Sequence, residues 1–216
     1  MTAPGGLQLV LLTRWPAPAR CKRRLAAAIG AERAARVQRR LLHHGLAAAG
    51  QAARLARQGG EAIEVVLAVS GLGSRACGRW AATLPVDRVV AQGEGSLGVR
   101  LRRQVERARR EAASGVILIG SDLPNLSASD LLDGVAALRD AALVVGPAAD
   151  GGYWLLGLSP PRRAPRLFAG ARGPIPWGGA AVLRRTLEGA AAEGLSPVLL
   201  AESRDLDTPA DLATWR

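Results

Sequence analysis

The chain has 216 residues, a formal net charge of +11 and 49% apolar side chains. That length and apolar share suit one domain over 1–216 with a substantial core. No apolar run nears the roughly 20 residues of a membrane helix, and two cysteines, Cys21 and Cys77, are too few for a disulfide framework or a four-ligand zinc site.

The predicted elements run as follows. MTAPGG lacks the basic stretch of a signal peptide, so a reducing cytoplasm is the expected compartment, and LQLVLL (7–12) is a buried strand. Residues 31–57 form a long amphipathic helix, with Gly45 and Gly50 as candidate breaks. IEVVLAV (63–69) is a strand, followed by a short helix at 75–83 and a weak strand at 88–91. Residues 96–113 form a helix and GVILIG (115–120) a strand. Ser127-x-x-Asp130 opens a helix over 127–140 in the manner of a capping box. ALVVGP (142–147) and YWLLGL (153–158) are strands around a turn, and 159–177 is a loop. A helix at 178–194, a strand at 197–201 and a last helix at 208–215, with Thr208 as N-cap and Pro209 first, complete the chain. This alternation predicts an α/β fold: a mixed, mostly parallel sheet flanked by helices on both faces, with one antiparallel element at 142–158.

The positive charge invites a nucleic-acid reading, but the basic residues are spread along the chain without interleaved aromatics or a helix-turn-helix or finger spacing. Solvated helix faces plus a few phosphate-binding arginines account for it better. Composition holds a sharper clue. All 29 basic residues are arginine except Lys22, and Asn125, Tyr153 and Phe168 are also the only members of their types. A chain that replaces lysine almost everywhere keeps it where a compact point charge is needed, because the two cations interchange freely only on surfaces.

In open α/β sheets ligands bind beyond the carboxyl ends of the strands. Here those ends are followed by TRWPAPARCK, QGEGSLGVR, SDLPNLS, AADGG and SRDLDTP. Arg14, Arg20, Lys22 and Arg24 crowd the first of these, a donor set suited to a diphosphate or triphosphate, or simply a basic surface loop. Asp122 leaves an apolar strand ended by Pro124; with Asp150 or Asp207 it would make the one or two carboxylates through which Mg²⁺ or Mn²⁺ is held together with substrate phosphates. Asp207 alternatively shapes the turn before the last helix, where Asp211, like Asp130 earlier, is a helix-start residue. Asp150, Gly151, Gly152, Tyr153 and Trp154 allow a close backbone approach and a stacking ring, or form a tight turn with core aromatics. His43 and His44 belong to a helix surface, and Cys21 lacks the partners of a nucleophile. Gly93, Gly95 and Gly98 have the G-x-G-x-x-G spacing of a dinucleotide loop, with Asp122 near the offset of a ribose-binding acid. NAD(P) binding by an oxidoreductase is therefore an alternative, although its strand is short and it gives the basic first loop no task.

LTRWPAPARCKRRL, QGEGSLGVRL, IGSDLPNLS, VVGPAADGGYWLLGL, IPWGGAAVLRRTL and LDTPADL occur in that order between residues 11 and 212. Together they resemble the GT-A-fold, nucleotide-diphospho-sugar-transferase-like proteins of the arsenosugar-biosynthesis and radical-SAM/selenodomain-associated glycosyltransferase group. That group is similar to the 2-phospholactate and molybdenum-cofactor guanylyltransferases. The resemblance implies a nucleotide held by the first loop and by the loop from Gln92, with Lys22, Arg24 and Arg100 on phosphates and Gly93 and Gly98 shaping the loop. It further implies a divalent metal near Asp122. The chain departs from the pattern at Ala19, where a glycine is usual, and at Arg23, where a threonine is usual.

The expected function is thus a metal-dependent transferase with a nucleotide or nucleotide-sugar donor and a small-molecule acceptor, without specific nucleic-acid binding or membrane attachment. Glycosyl transfer is favoured over nucleotidyl transfer to a phosphorylated or carboxylated acceptor. Lys22, Asp122 and Asp150 are the candidate catalytic residues, Asp122 and Asp207 the candidate metal ligands, and Gly151, Gly152, Tyr153 and Trp177 the acceptor side.

Overall fold

In the computed structural model, which describes residues 5–215, the apolar runs pair into one seven-stranded sheet. Met1–Pro4 and Arg216, the ends of the expected domain, lie outside the described residues. The strands are β1 (Leu7–Arg14), β2 (Ile63–Ser70), β3 (Arg88–Ala91), β4 (Val116–Gly120), β5 (Leu143–Pro147), β6 (Tyr153–Leu158) and β7 (Pro197–Leu199). Their order is β3-β2-β1-β4-β6-β5-β7. β6 is antiparallel to its neighbours β4 and β5, and the other pairings are parallel. Every residue of β1 from Leu7 to Thr13 is buried, as a strand covered on both faces requires.

The helices are α1 (Arg23–Ile29), α2 (Ala31–Gln58), α3 (Ser74–Ala81), α4 (Leu97–Arg110), α5 (Ala128–Asp140), α6 (Pro165–Ala169), α7 (Val182–Ala192) and α8 (Pro209–Thr214). Side chains alternate across a strand, so β1 feeds two cores. Leu9 and Leu11 pack with residues of α2, α3 and α5, whereas Val10 and Leu12 pack with residues of α4, α6 and α7. A third cluster, Leu25, Ala34, Leu41 and Leu206, joins α1 to α2 and to the segment before α8. The expected mixed, mostly parallel sheet with helices on both faces is the fold observed. Among the described residues no helix is long and apolar enough to cross a membrane.

The sequence and the structure differ in four places. The long helix does not break: Gly45 lies where α2 crosses β1, and a Cβ there would stand 3.4 Å from Leu11 Cδ1, so the glycine permits close packing. α1 follows the first loop as a separate helix, set off from α2 by Gly30 at φ 87°. The 159–177 loop contains α6, whose Leu167 and Phe168 are buried in the second core. The helix expected from 178 starts at Val182, because 178–181 turns back onto Gly151. Both helix-start acids behave as read: Ser127 with Asp130, and Thr208 with Asp211, form reciprocal capping boxes.

Candidate functional site

A cleft of about 570 Å³ opens at the carboxyl ends of the strands. Its wall takes Arg14 from the end of β1, Ser70 from β2, Gln92 after β3, Ser121 and Asp122 after β4, and Asp150 after β5. Lys22, Arg24, Arg100, Tyr153, Asp205 and Asp207 complete it. Nine sequence-identified residues therefore meet in one place: Arg14, Lys22, Arg24, Gln92, Arg100, Asp122, Asp150, Tyr153 and Asp207.

Lys22 stands in the left-handed region at φ 46°, and its side chain is only 2% exposed. Its ammonium has three protons to donate, and three acceptors converge on it. Nζ lies 2.5 Å from the Leu206 carbonyl oxygen, 3.1 Å from Asp207 Oδ1 and 2.9 Å from Asp122 Oδ1. Burial alone would push this ammonium down; Asp122 and then Asp207 outweigh it and hold the pKa above the ordinary lysine value. A planar guanidinium fork does not match three acceptors converging on one point, which is the physical reason this position keeps the chain's one lysine. In this arrangement Lys22 ties Asp122, Asp207 and the Leu206 carbonyl together.

Leu206 N–H donates to the Asp122 carbonyl oxygen at 2.9 Å, fastening the 205–207 segment to the end of β4. That bond brings in Asp205, a residue the sequence reading passed over. Burial first, then the charges of Asp122 and Asp150, push its carboxyl up to about 7. The available signal was the D-x-D spacing of Asp205 and Asp207, since alternate residues of an extended segment share a face. Among the described residues no three of His, Cys, Asp or Glu form a preassembled metal cage.

Beneath these groups lies a hydrogen-bonded floor. Gln38 Nε2 donates to Ser121 Oγ at 2.9 Å, and Ser121 Oγ donates to Thr13 Oγ1 at 3.1 Å. Gln92 Nε2 donates to the Thr13 and Ala68 carbonyl oxygens, each at 2.9 Å. Both amide protons of Gln92 are thus engaged in joining β1 and β2 beneath the cleft that the residue lines.

Arginines line the cleft as well. Arg14, Arg23 and Arg100 border both the cleft and an adjoining basin of about 470 Å³ that also contains Arg20, Trp15, Gly71 and Gly93. Arg14 Nη1 donates to the Arg20 carbonyl oxygen at 3.2 Å, and Arg100 Nε to the Gly95 carbonyl oxygen at 2.9 Å. Among the described residues none of Arg14, Arg20, Arg23, Arg24 and Arg100 enters an ion pair. Gly93 turns its loop at φ 72°, a conformation that favours glycine. A Cβ there would stand 2.6 Å from Arg103 Nη1, and that guanidinium staples the loop by donating to the Gln92 and Glu94 carbonyl oxygens.

Of the acceptor-side candidates and Gly98, Tyr153 is in the cleft lining, which does not include Gly98, Gly151, Gly152 or Trp177. Gly151 abuts Ala180, where a Cβ would stand 2.2 Å from the carbonyl oxygen. Gly152 N–H donates to Asp150 Oδ1 at 2.8 Å and orients that carboxylate. Tyr153 presents its ring, while its hydroxyl is buried beside Thr186; burial raises its pKa. Trp177 meets that ring edge to face at 6.4 Å, but lines a separate groove with Gly98. Gly98 is a packing glycine, since a Cβ would stand 2.4 Å from the Phe168 carbonyl oxygen. The G-x-G-x-x-G spacing therefore follows an edge strand, with its third glycine packed against Phe168 and Trp177.

A profile of the family described as "Uncharacterized protein conserved in bacteria (DUF2064)" matches residues 51–178, and the chain belongs to that family. A search of curated proteins finds no match. Among solved structures, the fold is similar to a protein of Desulfovibrio desulfuricans G20 provisionally named a nucleotide-diphospho-sugar transferase (TM-score 0.83, 24% identity, covering 96% of this chain and 85% of that one). It is also similar to CMP:2-keto-3-deoxy-manno-octonic acid synthetase complexed with CTP (TM-score 0.56, 13% identity, 97% and 96% covered). A third is Rv0371C of Mycobacterium tuberculosis H37Rv, in complex with manganese (TM-score 0.52, 20% identity, 98% and 97% covered).

Proposed function

We propose that this member of the family is a transferase acting on a nucleotide or nucleotide sugar, built as a single catalytic domain. The carrying observation is that arginines free of ion pairs among the described residues and a group of aspartates line one cleft and its adjoining basin, at the strand ends where such folds bind ligands. Arg14, Arg20, Arg23, Arg24 and Arg100 suit the phosphates, and the neighbouring basin beside Trp15 suits the nucleoside.

The aspartates fit a divalent cation. Asp122 has Oδ1 buried against Lys22 while its side chain remains 40% exposed, so its other oxygen faces the cleft. Asp122, with Asp205, Asp207 or Asp150, offers the hard carboxylate oxygens that Mg²⁺ or Mn²⁺ takes together with substrate phosphates, and this needs no protein cage. Bound there, the cation would neutralise charge on the diphosphate. Lys22 keeps Asp122 and Asp207 in place, and Asp150, held by Gly152, is positioned to accept a proton from an acceptor hydroxyl.

Glycosyl transfer is the favoured form, supported by the fold likeness to the D. desulfuricans protein and by the resemblance to the glycosyltransferase group. In it the acceptor oxygen bonds to the sugar's anomeric carbon, the carbon–oxygen bond to the diphosphate breaks, the acceptor proton passes to Asp150, and a nucleoside diphosphate leaves. Fold likeness to the CTP-bound synthetase supports a second form, in which an acceptor phosphate or carboxylate attacks the α-phosphorus of a nucleoside triphosphate and diphosphate leaves.

The test is a thermal-shift panel of nucleoside triphosphates, nucleotide sugars and NAD(P), each with and without Mg²⁺ or Mn²⁺. A raised midpoint with a nucleotide sugar supports the first form, and with triphosphates alone the second. In Asp122→Asn the metal-dependent part of the shift should vanish. A panel in which no nucleotide moves the midpoint, or only NAD(P) does, sinks the proposal.

A further inference from the structure

On one face of the sheet α2 and α5 pack side by side. α2 leads back to β2 and α5 to β5, both parallel to β1, so the two helices run in the same direction. Between them lies a groove of about 610 Å³, lined by Ala48, Leu55, Leu126 and Leu132 together with His44, Gln51 and the serines at the start of α5. Spacings of three and four residues put His44, Ala48, Gln51 and Leu55 in one stripe along α2. Leu55 is 42% exposed, a large aliphatic group at the rim of a largely apolar groove. The charges beside the groove are divided between the helices. α2 carries arginines and, after Glu32, no acid. α5 carries Asp130, Asp133 and Asp140 against Arg139; Asp130 is used in the capping box and Arg139 pairs with Glu61. Arg54, on the side of the stripe away from the buried Ala48, is exposed, as are Asp133 and Asp140 on α5. Among the described residues none of these three enters an ion pair.

We propose that this groove is the interface of a two-fold dimer, its occupant a second copy of the chain. A two-fold axis lying along the groove sets α2 of each copy against α5 of the other, so that Arg54 meets Asp133 and Asp140 of the second copy, and the reverse. Charge complementarity is what selects a second copy. The one surface carries both the basic half and the acidic half of the match, as an isologous contact requires. With a net charge of +11, two copies repel one another overall, so they associate only through a patch where opposite charges meet. Here Leu55 and Leu132 supply apolar area at the centre, and the charged rim fixes which helix faces which. The assignment is independent of what the cleft binds.

The experiment is sedimentation velocity of the whole chain over a dilution series. Wild type should form a dimer that dissociates on dilution. Leu55→Asp, Arg54→Asp and Asp133→Arg should each raise the dissociation constant at least about tenfold. The double variant Arg54→Asp/Asp133→Arg should recover most of that loss, because the exchanged charges face each other again. All three positions are exposed, so the variants should fold, as their melting midpoints will show. A wild type that is monomeric at every concentration leaves the groove to some other partner and overturns the proposal. So does a dimer that no variant weakens, since the second copy then sits elsewhere. Weakening by both single charge variants without recovery in the double overturns the pairing of α2 with α5.

Discussion

At the amino ends of β1, β2 and β3, opposite charges are matched. Arg88 donates to Glu64 at 3.0 Å and to Glu111 at 2.7 Å, and Gln8 bonds both acids. Its bond to Arg88 holds Glu111 below the usual carboxylate range, and the bond to Glu111 raises Arg88 in turn. At the carboxyl ends of the same sheet arginines and aspartates line one cleft and its basin without pairing with each other: Lys22 bridges Asp122 and Asp207, whereas among the described residues Arg14, Arg20, Arg23, Arg24 and Arg100 enter no ion pair. Paired charges largely cancel one another, whereas unpaired arginines beside aspartates leave charges of both signs that a phosphorylated ligand and its cation would complete.

The comparison breaks most visibly at its two cations. Lys22→Met should cost about 2–3 kcal/mol in urea unfolding, less than for a fully buried pair because both carboxylates stay partly hydrated. Arg88→Met, in a more hydrated network, should cost only about 1 kcal/mol. Equal costs would remove the distinction between the two ends.

Ligand response is the next largest effect. Inorganic diphosphate at 100 times its dissociation constant should add about 2.7 kcal/mol of stability. The rise in melting midpoint should disappear in Arg14→Ala/Arg100→Ala and persist in Arg88→Met. A rise that survives loss of both cleft arginines would place the anion elsewhere.

Asp205 sharpens the comparison through pH. Its folded pKa, raised to about 7, lies above the ordinary carboxyl value, so the folded chain binds more protons than the unfolded one between roughly pH 4 and 7. Stability from this group is present at the acid end of that window and lost as pH rises through it. Measured without added metal, Asp205→Asn should therefore stabilise the protein at pH 8 by roughly 2 kcal/mol and hardly change it at pH 4. A variant no more stable than wild type at pH 8 would contradict the crowding of carboxylates in this cleft.

The smallest effect concerns Ala19, at φ 58° in the basic loop. Ala19→Gly relieves left-handed strain but frees the unfolded chain, so the net gain should be at most about 1 kcal/mol by differential scanning calorimetry. A clear loss would show that the loop depends on the alanine methyl group.

Much of the site was legible in the sequence because strand ends and turn chemistry are local. Asp122 after GVILIG, Asp150 before two glycines, and the arginines after LQLVLL all line the cleft as the alternation of elements implies. The single lysine marked a special position for a sound reason, and its partners explain why arginine fails there. That Gly98 and Trp177 line a groove apart from the cleft was not legible, because what they pack against lies far away in sequence. Asp205 was missed because its significance comes from neighbours at 122 and 150.

The apolar runs, their helical and strand periods and the capping boxes were enough to determine a mixed α/β sheet and the end of it where ligands would gather. They act through contacts within a few residues, or through a burial pattern that any correct fold must satisfy. Only the tertiary structure decided that Lys22 faces two aspartates and a carbonyl, and that Gln92 bonds the Thr13 carbonyl beneath the cleft. Each depends on where segments about 80 to 185 residues apart come to rest, and side-chain spacing along the chain carries no record of that.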